Sequence, residues 1–388
     1  MILYLAATVC TILLAVGVRS ASVRMSGASS VPSGMITRET LKSRVLLSGI
    51  FLILFGILAL RINVGNDYMK YVEFMHLARS GFYVPTEIGF NFLSRLVFLI
   101  FDGENFLFCF AVMAFVTVGC FLAAIDRLSE SFLISFGMFM LLGYYFQSIS
   151  TVRYYFALAV TTLAIVSFLK EDYPRFVLLV LFAATFHKSA LLVLFIYPIA
   201  RLRYRRWVYI ALAAGGFAGF LLRDVVLKVL LMVYSTYQET GYAAGGEGSK
   251  ISIVRCALVL FLSILYDRES LLSEPAEAGT DPERTARRFY CHLNVLAIVL
   301  YVFFAYLPII SRIGYYMTVT HIFYVPMLIR RMPDGRKRRI AMAVTGLFCL
   351  GFFVHMMRHA GDDGLRILPY QTFVFHEMPA TLSDMGYN

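Results

Sequence analysis

NVGNDYMKYVEFMHLARSGFYVPTEIGFNFL, residues 63–93, interrupts a chain otherwise built from apolar runs. It places Asp67, Tyr68, Lys70, Glu73, His76, Arg79 and Glu87 between segments long enough to cross a bilayer. Tyr68, Tyr71, Val72, Met75 and Ala78 recur at helical spacing, and Lys70 and Glu73 fall off that stripe. The pattern predicts a short helix at the membrane surface. Asn66 caps its start, Asp67 suits its positive end, and Gly81 closes it. Such a helix rests in the headgroup layer with its charged face towards water and substrate. So many polar groups gathered in one early loop mark it as a place of function.

Outward from that loop, composition sets the class. The chain has 388 residues, of which 60% are hydrophobic and 15% charged, and its mean hydropathy is +0.74. That much apolar surface predicts an all-α polytopic membrane protein with no soluble domain. A net charge of +11 would suggest nucleic acid in a soluble protein. Here the positive charge sits in short loops, so the positive-inside rule accounts for it and no nucleic-acid partner is expected. The six cysteines lie in apolar segments without metal-ligand spacing, and neither a disulfide nor a zinc site is expected. Residues 1–18 lack a basic n-region and are followed by Arg19 and Arg24, the pattern of a retained first helix that starts outside.

Twelve crossings are predicted, at 1–18, 45–60, 104–125, 131–147, 154–169, 176–186, 190–200, 207–222, 251–266, 291–306, 313–329 and 340–357. Residues 176–200 are split because Lys170 and Arg175 precede them while Arg201, Arg203, Arg205 and Arg206 follow. Basic flanks on one side require an even number of crossings, with His187, Lys188 and Ser189 at the bend. In this topology the inner loops hold 22 Lys and Arg and the outer segments 12. The whole chain, 1–388, is then one integral membrane domain. Its outer parts are 61–103, 223–250 and the tail 358–388, and 267–290 is a solvated inner linker. Residues 88–101 are too short to span and predict a re-entrant or interfacial helix. Leu222–Tyr237 predicts a second surface helix, followed by the Gly-rich turn Gly241–Gly248.

Phosphate-binding loops, HExxH, GxSxG and paired CxxC motifs are absent. What remains is Arg153, Arg223, Arg255 and Arg312 with Asp67, Glu87 and His187, all on or near the predicted outer side. Arginines stay charged and offer forked donors to phosphate oxygens, and a nearby carboxylate or histidine can take a proton from an attacking hydroxyl. The set therefore points to chemistry on a lipid-linked pyrophosphate. Each residue also has a plainer reading. Arg153 and Arg312 at helix ends can snorkel to headgroups, Asp67 can serve only its helix dipole, and His187 can cap the bend. Arg255 lies inside a span, and Glu87 has no evident local structural role. Tyr68, Tyr315 and Tyr316 are candidate sugar contacts; an interfacial belt is the other reading of Tyr144, Tyr145, Tyr154, Tyr155, Tyr315 and Tyr316. His321 and His355 lie in spans and read as core or pore residues.

The series GNDYMKY, PTEIGFNFLSRL, TVRYYFALAV, FHKSALL, SRIGYYM and LPYQTFVF resembles the EpsG family of Wzy-type polysaccharide polymerases, from Asn63 to Phe375. The family often has glutamine after the arginine that Arg153 matches, where Tyr154 stands here. The resemblance implies a GT-C-like glycosyltransferase of the bacterial cytoplasmic membrane, with its site on the outer leaflet. It would move a growing glycan from undecaprenyl pyrophosphate to the sugar of a new lipid-linked repeat unit. Donor and acceptor would both be undecaprenyl-pyrophosphate-linked glycans, and a chain-length regulator is a candidate partner alongside membrane lipids. By likeness to the O-antigen ligases no metal or other cofactor is expected, arginines standing in for a cation. Arg153, Arg255 and Arg312, with Arg223 as a fourth, would hold the departing pyrophosphate. Asp67, Glu87 or His187 would be the base. The rival readings are a lipid-linked oligosaccharide flippase, which also needs many spans and a cationic cavity, and a membrane O-acyltransferase using His187.

Overall fold

The computed structural model describes residues 1–21, 37–79, 83–103, 105–233, 250–271, 281–307 and 310–377. They form helices joined by turns, and Arg61 and Thr372 make an isolated antiparallel bridge. In chain order the first helices are α1 Ile2–Val16, α2 Arg38–Ala59, α3 Tyr68–Arg79, α4 Ile88–Phe101 and α5 Phe106–Leu128. Next come α6 Phe132–Leu141, α7 Tyr144–Ser150, α8 Val152–Leu169, α9 Tyr173–Phe186, a 3-10 turn Lys188–Leu192 and α10 Val193–Arg201. The remainder are α11 Arg206–Leu221, α12 Arg223–Val233, α13 Lys250–Tyr266, α14 Arg268–Leu271, α15 Pro282–Phe303, α16 Ile310–Thr318, α17 His321–Arg330 and α18 Gly335–Arg358.

Among the described residues five helices, α2, α5, α8, α15 and α18, are long and apolar enough to cross a membrane. The number rises to seven if the bent pairs α6–α7 (41°) and α11–α12 (82°) each count as one crossing. The sequence pattern suggested twelve. The difference lies in helix length: α1, α9, α10 and α13 have 15, 14, 9 and 17 residues, and the predicted crossing 313–329 is broken between α16 and α17. A perpendicular crossing takes about 20 residues.

The chain divides into two compact units, one of residues 1–191 with 339–388 and one of residues 192–338. In the first, α8 is the most enclosed of the membrane-length helices, with 14 of its 18 residues buried against α5 and α9. By contrast α2 and α18 are mostly uncovered apolar surface, as lipid-facing helices are. The surface helix α3 forms over the predicted stripe and buries Tyr68, Tyr71, Val72, Met75, His76 and Ala78. Gly65 turns into it with φ +107°, where a Cβ would stand 2.4 Å from the Ile149 carbonyl oxygen. Gly81, predicted to close the helix, lies outside the described residues, as do the turn 241–248 and residues 378–388 of the tail.

The two predicted outer segments of this unit are tied together. Ile62 N donates to Gln371 O at 3.0 Å and Gly65 N to Arg366 O at 2.8 Å. The tail also closes the C-terminal end of α2, where helix carbonyls need outside donors. Tyr370 donates to Ile57 O at 3.0 Å, Thr372 to Leu60 O at 2.8 Å, and Arg61 to Leu58 O at 2.6 Å. Arg61 is 1% exposed and lies over the Phe110 ring, a cation favourably placed at the negative end of α2.

The second unit is arranged around α15, which packs against α10, α11, α13, α14, α16 and α17. The predicted solvated linker 267–290 is corrected at both ends. Asp267 is buried and accepts from Ser270 Oγ at 2.7 Å, Tyr324 Oη at 3.0 Å and Arg287 Nε at 3.3 Å. The helix α15 begins at Pro282, nine residues before the predicted crossing, because Asp281 caps it and Pro282 fits its first turn. Residues 272–280 of that linker lie outside the described residues. The expected second surface helix begins at Arg223, as α12.

Candidate functional site

Arg153 stands in the first turn of α8, where a cation opposes the helix dipole and needs an anionic neighbour. Glu87 supplies it. That residue begins α4 with extended backbone, yet its carboxylate leaves the helix end and pairs with the Arg153 guanidinium. The other carboxylate oxygen accepts from the Lys188 backbone N–H at 3.2 Å. Both side chains are largely covered, 16% exposed for Arg153 and 20% for Glu87. The guanidinium carbon is 5.3 Å from the Tyr71 ring centre and 5.6 Å from that of Phe90, within cation–π range of both faces. Arg153 Nε is buried and has no hydrogen-bond partner among the described residues. A buried donor of that kind suits an incoming acceptor.

The surrounding helices fix this arrangement. Glycine at position 89 lets α4 cross α9 with backbone in contact, since a Cβ there would meet Thr185 Oγ1 at 2.5 Å and Thr185 O at 2.8 Å. The crossing brings Glu87 to the end of α9, where the helix stops at His187. His187 Nδ1 lies 2.6 Å from Ser189 Oγ, and its ring meets the edge of Tyr154 at 5.3 Å between centres. Tyr154 follows Arg153 directly, so both sides of the centre are held by the same turn of α8. On the far side Tyr71 Oη points to Asp67 Oδ2 at 3.4 Å. Burial pushes the Tyr71 phenol above its ordinary pKa, so it stays a donor.

Asp67, Glu87, Arg153 and His187 are therefore brought together in the first unit by contiguous contacts. Tyr68, a proposed sugar contact, is 1% exposed, stacked on Phe110 at 4.5 Å, and pushed up to about 12 by burial. Its ring is core packing for α3. The remaining candidates belong to the second unit. Arg223 opens α12 in an exposed position, with its Nε 3.7 Å from Asp224 Oδ1. Arg255 is buried on α13 and acts electrostatically on His321, whose Nε2 is 2.9 Å from Asn294 Oδ1. Arg312 and Tyr315 are half-buried on α16, and Tyr316 is buried with its carbonyl accepting from Tyr197 Oη at 3.3 Å.

Sequence reasoning did not single out Tyr71 and Phe90 as the ring faces beneath Arg153, nor the Lys188 N–H. Tyr71 carried a usable signal, one helical turn beyond Asp67, and Phe90 sits three residues after Glu87. The Lys188 amide had none, because any residue there would offer it.

No curated protein and no solved structure matches this chain. The family model described as EpsG family matches residues 44–372, a range that holds Asp67, Glu87, Arg153 and His187 and ends at the tail residue bridged to Arg61. The chain belongs to the EpsG family, a family of Wzy-type polysaccharide polymerases.

Proposed function

We propose that this protein polymerises oligosaccharide repeat units carried on undecaprenyl pyrophosphate, at the outer leaflet of the bacterial cytoplasmic membrane. The acceptor hydroxyl oxygen attacks the anomeric carbon of the donor glycan. The bond from that carbon to the pyrophosphate oxygen breaks, and undecaprenyl pyrophosphate leaves with the electron pair. A single in-line displacement inverts the anomeric centre. Asp67, Glu87 or His187 accepts the hydroxyl proton, and Arg153 stabilises the charge that grows on the leaving pyrophosphate. The supporting observation is the Arg153 guanidinium itself, held between two ring faces and Glu87 with a buried Nε–H to spare. Arg223, Arg255 and Arg312 are proposed as pyrophosphate ligands, and Tyr315 and Tyr316 as sugar contacts, on the sequence argument alone. The same reading includes a GT-C-like chain of about twelve crossings and a chain-length regulator as partner.

Reconstitution tests it. Purified protein in liposomes with an undecaprenyl-pyrophosphate-linked repeat unit should yield lipid-linked glycans of increasing length and release free carrier. Translocation of the lipid-linked unit without any new glycosidic bond would sink the polymerase and favour a flippase.

A further inference from the structure

Two carboxylates and a histidine lie around Arg153, and their bonding tells them apart. Glu87 has both oxygens engaged, Oε2 by the Arg153 guanidinium and Oε1 by the Lys188 N–H. A proton taken there would displace the ion pair that holds Arg153. His187 Nδ1 is shared with Ser189 Oγ. Asp67 is placed differently. It stands one residue before α3 and is half-buried, with its Oδ2 3.4 Å from the Tyr71 hydroxyl. Its Oδ1 accepts from no other group among the described residues.

Tyr71 is built into the centre. It is 3% exposed, with Phe90 5.5 Å away between ring centres and the Arg153 guanidinium over its face. The Tyr71 amide donates to Asp67 O at 3.1 Å, so the first turn of α3 sets hydroxyl and carboxylate side by side. The same turn is tied to the end of α7 by the 3.2 Å bond from Asn66 N to Ser150 Oγ. Asp67 and Arg153 both act on the Tyr71 hydroxyl, with opposite sign. An ionised carboxylate offers no proton and a guanidinium no lone pair. The two charges therefore orient the hydroxyl one way, its proton to Asp67 and its oxygen towards the cation. A phenol held in that sense fixes one carboxylate oxygen and leaves the other to accept.

Given the polymerisation proposed above, we infer that Asp67 takes the acceptor's proton on Oδ1, with Tyr71 as the residue that positions it. As the acceptor oxygen bonds to the anomeric carbon, its proton passes to Asp67. The electron pair of the broken bond leaves with the pyrophosphate, and the neutral acid then returns the proton to water. Glu87 keeps to its ion pair throughout.

Elongation by the full chain in liposomes tests this, with kcat and the donor KM measured on the undecaprenyl-pyrophosphate-linked repeat unit. Asp67→Asn keeps the shape and loses the basicity, and should lower kcat about 10²-fold or more. Tyr71→Phe keeps the ring beneath Arg153 and loses only the hydroxyl. Its kcat should fall about tenfold, with KM within about twofold of wild type. Because Tyr71 acts through Asp67, adding Tyr71→Phe to Asp67→Asn should cost less than about twofold more. A full further tenfold loss in the double variant would mark Tyr71 as packing and overturn its positioning role. A folded Asp67→Asn protein that elongates at the wild-type rate would overturn Asp67 as the base. If Asp67→Asn does not fold, Tyr71→Phe alone decides, and an unchanged kcat there overturns the pair. No glycosidic bond from the wild type itself would instead sink the polymerase reading on which the assignment stands.

Discussion

Replacing Gly89 by alanine adds one methyl group at the point where α4 and α9 touch. That Cβ would stand 2.5 Å from Thr185 Oγ1, which can rotate away, and 2.8 Å from Thr185 O, which cannot. Ordinary contact begins at 3.4 Å, so the helices must part by about 0.6 Å. Glu87 lies two residues upstream, and its 3.2 Å bond from the Lys188 N–H would stretch beyond hydrogen-bonding range. Overpacking of this kind costs about 1–3 kcal/mol. If Glu87 sets the position of Arg153, polymerisation should fall about 10- to 100-fold, since a displacement near 1 Å in a reacting centre costs about that much. The assay is glycan elongation in liposomes, with the thermal midpoint measured on the same preparation. Gly346→Ala is the control, because a Cβ there meets nothing within 4 Å, and it should leave both quantities unchanged. A Gly89→Ala protein with wild-type elongation would refute the claim that this crossing positions the centre.

Further outcomes follow from the same geometry. Glu87→Gln keeps the shape of the side chain but removes its charge, and should lower elongation at least about tenfold while the protein remains folded; gel filtration and chain-length analysis check both. Gly65→Ala places a side chain at φ +107° and 2.4 Å from Ile149 O, so it should destabilise the first unit by more than about 2 kcal/mol, read as a lower thermal midpoint. Asp267→Ala takes from the buried Arg287 its buried carboxylate, leaving it only the partly exposed Glu283, and should cost about 3 kcal/mol; Asp267→Asn, which keeps one of the two acceptor oxygens, should cost less.

Much of this was legible in the chain before any coordinates. The apolar runs gave an all-helical membrane protein, and the 3.6-residue stripe from Tyr68 to Ala78 gave α3 with its buried face. The break at His187 followed from basic flanks on both sides of an apolar run. Helix ends inside apolar segments were harder to read. The divisions between α6 and α7, and between α16 and α17, fall inside segments that read as single crossings, with neither a charge nor a proline at the break. The start of α15 was missed because its first turns are charged, and part of that charge meets partners distant in sequence, as Arg287 meets Asp267 and Glu283 meets Arg330. The same limit applied at the site. Glu87 was singled out as lacking a local role, but nothing local could show that its partner is Arg153, 66 residues later. Arg61 read as one more outer-segment charge, whereas the fold encloses it among Tyr4, Tyr68, Tyr145 and Tyr370.

The account rests on Arg153 as the group that meets the leaving pyrophosphate, and single-turnover transfer in liposomes by Arg153→Ala and Arg153→Lys measures that directly. Folded Arg153→Ala should transfer glycan about 10²–10³-fold more slowly than wild type, with Arg153→Lys only partly restored because it lacks the planar fork. Wild-type rates from folded Arg153→Ala would contradict it.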